Sequence, residues 1–195
     1  MTIEQPKIDV RIPFEPEGRL GQDYNRIMNE SLHDWVLLLD HDILLNTNPQ
    51  WYYICQQSIL RYPNTGMFTC KTNIHHKTLQ YDETAPQSDT ISEHQDHSKN
   101  VFEKFQNVTT IIPPKLNVSG FFMLISKEAW KKANGFPGEG MFKEDWIFTQ
   151  KLHRQNIPIR LIDSLYVYHM RKRMDSWIEG VAGTKEIKAK EKPKK

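Results

Sequence analysis

The chain has 195 residues, with 26 Lys and Arg against 24 Asp and Glu, and a formal net charge of +2. The basic excess lies at one end, because residues 184–195 contain six Lys and two Glu, whereas the rest of the chain has 20 basic and 22 acidic residues. An acidic body lacks the strongly basic surface that nucleic-acid-binding proteins need, so that class is excluded. A Lys-rich end without apolar periodicity is typical of a disordered tail.

The composition is that of a folded domain, with 38% hydrophobic residues and 11% aromatic residues. We expect a single domain over residues 1–183 and a basic tail over 184–195. No apolar run approaches the roughly 18 residues of a membrane helix, and no apolar signal segment opens the chain, so we expect a cytoplasmic protein. Cys55 and Cys70 are too few for a disulfide framework and are predicted to be reduced core thiols.

The first part of the chain alternates between strand and helix patterns. Apolar residues fall at helical spacing over 20–32, and the segment WVLLLD is continuously apolar, as in a strand buried on both faces. In chain order we predict a strand over 8–14, a helix over 20–32, a strand over 35–40, a helix over 49–61 and a strand over 67–70. This order predicts an α/β fold with a mainly parallel sheet flanked by helices.

Residues 71–117 are polar and have few periodic apolar residues, so we expect a long, partly ordered excursion over one end of the sheet. Its histidines, even with Cys70, give no recognised four-ligand zinc spacing. The regular pattern then returns. We predict a strand over 118–125, a helix capped by Ser126 and ended by Gly135, a helix over 144–156, and one or two strands over 157–169.

Two carboxylates, Asp40 and Asp42, directly follow the buried strand 35–40. Open α/β sheets bind ligands at the carboxyl ends of their strands, and alternation places these two side chains on one side of an extended chain. Carboxylate oxygens suit Mg²⁺ or Mn²⁺, which usually keep positions open for substrate phosphates. The alternative is a pair of solvated acids at a strand end, since a lone D-x-D is a weak signal.

Two further positions each allow two interpretations. Glu144 and Asp145 begin a helix, where acids commonly stabilise the helix dipole, but such a carboxylate can also act as a general base. His169 ends a strand and is followed by Arg171, so it is either an ordinary strand-end histidine or a metal ligand with an arginine beside a diphosphate. The sequence contains no P-loop, dinucleotide-binding or serine-hydrolase motif.

In their order along the chain, these segments resemble the GT-A-fold glycosyltransferases, in particular the small family 2-like enzymes of bacteria and phages. The resemblance extends from about residue 12 to residue 173. The matching stretches are RLGQDYNRIM (19–28), DWVLLLDHDI (34–43), GMFTCKTN (66–73), SGFFMLISKEAWKKANGF (119–136), EDWIFTQKL (144–152) and LYVYH (165–169).

The resemblance implies a role for each acidic position. Asp42 resembles the ligand of the divalent cation, Mn²⁺ or Mg²⁺, on a nucleotide-sugar diphosphate, and Asp40 resembles a contact to the ribose or the metal. His169 matches the histidine that completes the metal site. Asp145, paired with Glu144, matches the base of inverting members.

The resemblance also implies which residues contact the nucleotide. They are Pro13, Phe14, Arg19, Gly21, Tyr24, Asn25, Asp40 and Arg171. Only one strand precedes the helix 20–32, so this half of the fold is shortened relative to the family. The Q-x-x-R-W motif of processive synthases is absent.

We therefore expect a metal-dependent, inverting, non-processive glycosyltransferase that uses a nucleotide-diphosphate sugar, with UDP-sugars as the first choice, and a hydroxyl acceptor. The acceptor site is expected between the 71–117 excursion and the loop 135–143. The alternatives are a nucleotidyltransferase and a non-catalytic sugar- or nucleotide-binding module derived from a glycosyltransferase. No nucleic acid partner and no integral membrane segment are expected, and the Lys-rich tail suits a weak contact to an anionic membrane surface.

Overall fold

The computed structural model describes residues 4–14, 16, 18–74, 78–138 and 143–170, which form one seven-stranded sheet with helices packed on both faces. The strands are β1 (Ile8–Arg11), β2 (Trp35–Leu39), β3 (Ile43–Leu44), β4 (Met67–Thr72), β5 (Thr109–Ile111), β6 (Phe122–Ser126) and β7 (Ile159–His169). The helices are α1 (Leu20–Glu30), α2 (Trp51–Arg61), α3 (Ile91–Phe105), α4 (Lys127–Lys132) and α5 (Glu144–Arg154), with a 3₁₀ turn at Leu45–Thr47.

The sheet is mixed. Its main path runs β1-β2-β6-β4-β7-β3, and β5 pairs separately with β7. Strands β1, β2, β4 and β7 run in one direction, whereas β6, β3 and β5 run in the other. The α/β architecture with flanking helices is confirmed, but the predicted mainly parallel sheet needs correction. A continuously apolar strand such as β6 looks the same in either direction, so the sequence could not show that it inserts antiparallel between β2 and β4.

The core has two layers, one on each face of the sheet. On one face, Val36 and Leu38 of β2 pack with α1, α4 and α5. On the other face, Leu37 and Leu39 pack with α2. All five residues of β2 are buried, as the continuous apolar run predicts. Cys55 and Cys70 are free thiols in the second layer, and their complete burial raises the pKa of Cys70 well above its ordinary value.

The largest difference from expectation lies in the predicted excursion 71–117. Its described residues contain the 15-residue helix α3 and the strand β5, which joins the main sheet. Along α3, His94, Ser98 and Val101 are buried at helical spacing, but two of these three are polar. The polar atoms of these two side chains form hydrogen bonds with Tyr166 of β7. His94 Nδ1 lies 2.7 Å from the Tyr166 hydroxyl, and Ser98 Oγ donates to the Tyr166 carbonyl at 3.3 Å. Apolar periodicity alone therefore misses this helix.

The remaining elements lie close to their predicted bounds. The Ser126 hydroxyl accepts a hydrogen bond from Ala129 N–H at 3.3 Å and caps α4. Gly135 follows that helix with a φ of +65°, and its N–H donates to the Trp130 carbonyl at 3.0 Å. The segment 157–169 forms a single long strand, β7, with a register shift where it passes Cys70 and Lys71 of β4.

Among the described residues, none of the helices combines the length and the apolar character that crossing a bilayer requires. The predicted tail over 184–195 lies outside the described part of the chain, as does Arg171.

Candidate functional site

Three potential metal ligands, Asp40, Asp42 and His169, meet at the carboxyl ends of β2 and β7. Asp40 follows β2 directly, and its N–H donates to the Phe121 carbonyl at 3.0 Å. The short strand β3 pairs antiparallel with the end of β7, which sets Ile43 opposite His169. One ligand atom from each of the three side chains lies within 4.8 Å of the others, and His169 Nε2 is 3.2 Å from Asp42 Oδ1.

This donor set fits a divalent cation. Two carboxylate oxygens and one imidazole nitrogen suit Mn²⁺, and carboxylate oxygens also suit Mg²⁺. Mg²⁺ takes oxygen ligands at about 2.0–2.1 Å, so two ligands of one ion lie at most about 4.2 Å apart, and a small side-chain movement brings atoms within 4.8 Å of one another to that spacing. In the described part of the chain, no hydrogen-bond donor contacts the Asp40 carboxylate, which leaves both of its oxygens available as ligands.

The two carboxylates have opposite electrostatic settings. Burial raises the pKa of Asp40, and the negative charges of Asp42 and Asp145 add to this against the opposing pull of His169. Burial also acts to raise the pKa of Asp42, but the hydrogen bond and the charge of His169 outweigh it, so this pKa lies below its ordinary value. The raised pKa of Asp40 thus reflects burial beside other acids, whereas the lowered pKa of Asp42 reflects its direct contact with His169.

His169 is held by the side chain of Asn73, which directly follows β4. The His169 N–H donates to Asn73 Oδ1 at 2.9 Å, and Asn73 Nδ2 donates to the His169 carbonyl at 3.0 Å. Asn73 is fully buried, so both hydrogen bonds are shielded from water. The backbone N–H and the backbone carbonyl of His169 are therefore both held by Asn73, which fixes the point from which the imidazole extends.

Asp145 lies beside this cluster, at the first turn of α5. Its Oδ2 accepts the Gly120 N–H at 2.8 Å, and its Oδ1 accepts the Trp146 N–H at 2.7 Å. Because Gly120 directly precedes Phe121, adjacent residues of one segment anchor both Asp145 and Asp40. Burial raises the pKa of Asp145 despite the two backbone donors, which act to lower it. Asp145 is close enough to Asp40 for its charge to raise the pKa of that residue.

The segment that carries Gly120 is fixed by a second buried amide. Gln80, which is fully buried, accepts the Ser119 N–H at Oε1 at 2.7 Å and donates to the Ser119 carbonyl at 2.9 Å. Its amide nitrogen also lies 2.7 Å from Thr69 Oγ1 of β4. Gln80 belongs to the predicted excursion 71–117. This segment therefore helps to hold the backbone at Ser119 and Gly120, to which Asp145 is bonded.

Glu144 differs from Asp145 in its surroundings, because it is buried next to α1. It is 5% exposed, and its Oε1 has no hydrogen-bond partner among the described residues. Its side chain lies near Gly21 of α1, where an added Cβ would come within 3.2 Å of Glu144 Cγ. The two acids predicted as a pair thus have different surroundings. Asp145 accepts hydrogen bonds from two backbone N–H groups, whereas Glu144 is buried next to α1.

The residues predicted to contact a nucleotide divide into a surface group and a packed group. Phe14 is 81% exposed beyond the end of β1, and its N–H donates to Asp23 Oδ2 at 2.9 Å. Pro13 beside it is half-buried, and Arg19 is exposed just before α1. The described residues do not include Arg171.

The packed group lies within α1. The Tyr24 ring is buried against Phe136, and burial together with nearby acids raises its pKa. The Asn25 amide accepts the Phe136 N–H at 2.8 Å and donates to the Phe136 carbonyl at 3.0 Å. Gly21 packs against the Pro137 carbonyl. These contacts give Gly21, Tyr24 and Asn25 a packing role, and nucleotide contact stays a prediction.

Three residues of the site were not singled out from the sequence. They are Asn73, Gln80 and Gly120, which hold His169, Ser119 and Asp145 respectively. Asn73 and Gly120 do fall within segments that carry the family resemblance, but no local pattern indicates their partners. A buried amide in a polar stretch resembles a solvated loop residue unless its partner is known.

No protein-family model matches the chain, and no curated protein matches it. Among solved structures, the chain is similar to residues 1–349 of TarS from S. aureus, a glycosyltransferase, at 18% sequence identity and a TM-score of 0.49. The match covers 77% of this chain and 40% of the TarS chain, so the chain spans less than half of that structure.

Proposed function

We propose that this protein is a metal-dependent glycosyltransferase of the GT-A type. It would transfer a sugar from a nucleotide-diphosphate sugar, with UDP-sugars as the first candidates, to an acceptor hydroxyl, with inversion and one sugar at a time. The observation that carries this proposal is the convergence of Asp40, Asp42 and His169 within 4.8 Å, with Asp145 beside them on the same edge of the sheet.

Asp40, Asp42 and His169 would hold Mn²⁺ or Mg²⁺, whose charge offsets the negative charge that develops on the leaving nucleoside diphosphate. The protein contributes rigidity to this arrangement. Asn73 fixes the backbone of His169, and the β3–β7 pairing fixes the distance between the segments that carry Asp42 and His169. Pre-set ligands bind an ion without the cost of ordering them first.

Asp145 would accept the proton of the acceptor hydroxyl. As the acceptor oxygen forms its bond to the anomeric carbon, the bond from that carbon to the diphosphate oxygen breaks, and the proton passes to Asp145. The raised pKa of Asp145 makes it a stronger base than an ordinary aspartate, and the Gly120 and Trp146 N–H groups hold the carboxylate in one orientation. A single displacement of this kind inverts the anomeric centre.

The test is release of UDP from a panel of UDP-sugars with Mn²⁺, with and without a chelator. We expect release with at least one donor, dependence on the cation, and an increase when hydroxyl acceptors are added. Absence of turnover with every nucleotide sugar would contradict the proposal.

The panel and one added reaction separate the two alternatives. A nucleotidyltransferase would produce pyrophosphate from a nucleoside triphosphate and a sugar phosphate, so UTP with a sugar 1-phosphate is assayed for pyrophosphate in parallel. A non-catalytic module would bind UDP-sugar and Mn²⁺ without releasing UDP. The ordered setting of Asp145 favours the enzyme over the binding module, because a binding module has no use for a base.

A further inference from the structure

Trp146 is a half-exposed aromatic residue next to the proposed base. It is 42% exposed, whereas Trp35 and Trp130 are each 8% exposed within the core. Trp146 and Asp145 line the same open cleft of about 400 Å³, together with Thr78, Ser119 and Lys143. This volume is within the range of roughly 300–1,000 Å³ that small-molecule pockets occupy. The cleft therefore combines an aromatic surface with polar groups directly beside the carboxylate.

The backbone that carries the indole is fixed by hydrogen bonds. The Trp146 backbone N–H donates to Asp145 Oδ1 at 2.7 Å, and its carbonyl accepts the Thr149 hydroxyl at 2.9 Å. Lys143, which precedes α5, adopts a φ of 93°, a conformation that a non-glycine residue rarely takes. Backbone strain of this kind concentrates at functional sites. Across the cleft, Gln80 holds the backbone of Ser119.

We infer that Trp146 is the stacking platform for the pyranose ring of an acceptor sugar, so that the acceptor is a carbohydrate and not an acyclic alcohol or a protein hydroxyl. This inference rests on the proposed function and specifies its acceptor. The C–H bonds on one face of a pyranose form a weakly positive apolar surface, which suits the negative face of an indole. The hydroxyls around the ring edge suit the polar groups of Thr78, Ser119 and Lys143.

The inference also explains why the indole stays exposed next to a carboxylate. A ring stacked on Trp146 lies in the cleft that Asp145 also lines. A hydroxyl on the edge of that ring is then within the reach of the base. An acyclic acceptor has no flat face and would gain little from the indole.

The experiment uses the full chain and three variants, Trp146→Ala, Trp146→Phe and, as a matched control, Tyr53→Ala. Tyr53 is a comparably exposed aromatic residue, 56% exposed, on α2 and away from the cleft. Acceptor probes are methyl β-glucopyranoside, cellobiose and lactose as ring acceptors, and glycerol 1-phosphate and a serine peptide as acceptors without a ring. Transfer is measured with Mn²⁺ and the UDP-sugar that is turned over, and binding of the ring probes without donor is measured by saturation-transfer NMR.

We expect a ring acceptor to be preferred, and Trp146→Ala to raise its KM by about tenfold, the loss expected for one stacking contact. In Trp146→Ala the KM for the donor is expected to stay constant within about twofold. Trp146→Phe is expected to recover most of the loss in acceptor KM, and Tyr53→Ala is expected to match the wild type. Equal acceptor KM values for Trp146→Ala and wild type, or preference for glycerol 1-phosphate or the peptide, would overturn the inference and leave the proposed function intact.

The NMR measurement separates the two proposals if no donor is turned over. Binding of the pyranosides that is lost in Trp146→Ala and kept in Tyr53→Ala would then support a sugar site at Trp146 while the transferase function fails. Absence of any binding that depends on Trp146 would overturn both.

Discussion

The side-chain amide of Asn73 forms a hydrogen bond with each backbone polar group of His169, at 2.9 and 3.0 Å. The same arrangement occurs at two other places, where the Gln80 amide pairs with the backbone of Ser119 and the Asn25 amide with that of Phe136. Each amide imitates the edge of a neighbouring strand, at the last residue of β7 for His169 and outside the strands for Ser119 and Phe136. These amides therefore determine where the segments around the candidate site lie.

Asn73→Ala should weaken both the fold and the metal site. It leaves the N–H and the carbonyl of His169 buried without these partners, which we expect to lower the free energy of unfolding by about 1–3 kcal/mol. It should also weaken Mn²⁺ binding by about 10–100-fold, the usual effect of removing a group that orients a metal ligand. Urea unfolding and calorimetric titration with Mn²⁺ measure the two effects.

Asn64→Ala is the matched control for this change, because Asn64 is exposed in the loop between α2 and β4. It should alter neither quantity. If Asn73→Ala loses stability but binds Mn²⁺ as the wild type does, Asn73 supports the fold and does not position His169.

Asp42→Ala should abolish cation-dependent turnover of the donor. It removes one of the three ligands and also the acceptor that lies 3.2 Å from His169 Nε2. We expect Mn²⁺ affinity to fall by more than about 100-fold, since this exceeds the loss of an orienting partner. Calorimetric titration and UDP release with increasing Mn²⁺ test this, and full activity of the variant would eliminate Asp42 as a ligand.

Asp145→Asn should retain donor and Mn²⁺ binding but slow transfer by about 10²–10⁴-fold, as expected when a general base is lost. The pKa of Asp145 is raised by burial, so the wild-type rate should fall as the pH is lowered through a value above the ordinary 3.8 of an aspartate. Single-turnover transfer rates as a function of pH measure both effects. An unchanged rate in Asp145→Asn would remove it as the base.

Gly21→Ala should destabilise the protein, whereas Gly138→Ala should be nearly neutral. A Cβ on Gly21 would overlap the Pro137 carbonyl oxygen, whereas among the described residues a Cβ on Gly138 would meet only Gln22 Cγ at 4.0 Å. Inserting a methyl group against fixed backbone costs about 1–3 kcal/mol or more, because the helix or the loop must move. Thermal unfolding of the two variants compares them directly, and equal melting temperatures would contradict the tight contact between α1 and the loop after Gly135.

Because of the Asp82–His97 pair, the free energy of unfolding should depend on pH in the acidic range. Burial acts to raise the pKa of Asp82, but hydrogen bonds from His97 and Thr84 outweigh it and hold this pKa well below its ordinary value of 3.8. The stabilisation is therefore present above the ordinary value and is lost as the pH falls toward the lowered one.

Asp82→Asn should lower stability at neutral pH by about 1–2 kcal/mol and reduce the further loss in acid. Urea unfolding at several pH values between about 7 and about 3 measures this. Asp96→Asn, at an exposed position on α3, serves as the control. An identical acid dependence in Asp82→Asn and wild type would show that this pair does not govern it.

Much of the architecture could be predicted from apolar patterns. The helices α1 and α2 and the strand β2 follow from spacing and from a continuous apolar run, because their buried faces are made of apolar residues. Helix α3 could not be predicted in this way, since its buried face carries His94 and Ser98, whose partner Tyr166 comes much later in the chain.

The candidate site, like the fold, could be predicted from the sequence only in part. The meeting of Asp40, Asp42 and His169 was predicted from strand ends and from the family resemblance, and the structure brings them together. The supporting residue Asn73 could not be assigned, because its partner lies 96 positions away and nothing near it in the sequence indicates that contact.

The length and the late position of β7 have a consequence for the order of folding. This strand pairs with β3, β4 and β5, and it ends at His169, whereas the two carboxylates follow β2 near the start of the chain. Closing so long a loop is slow, so the complete set of ligands forms only when β7 docks. Cation affinity is thus a property of the finished sheet, and a cation that binds only this state would slow the detachment of β7 and delay unfolding from that edge.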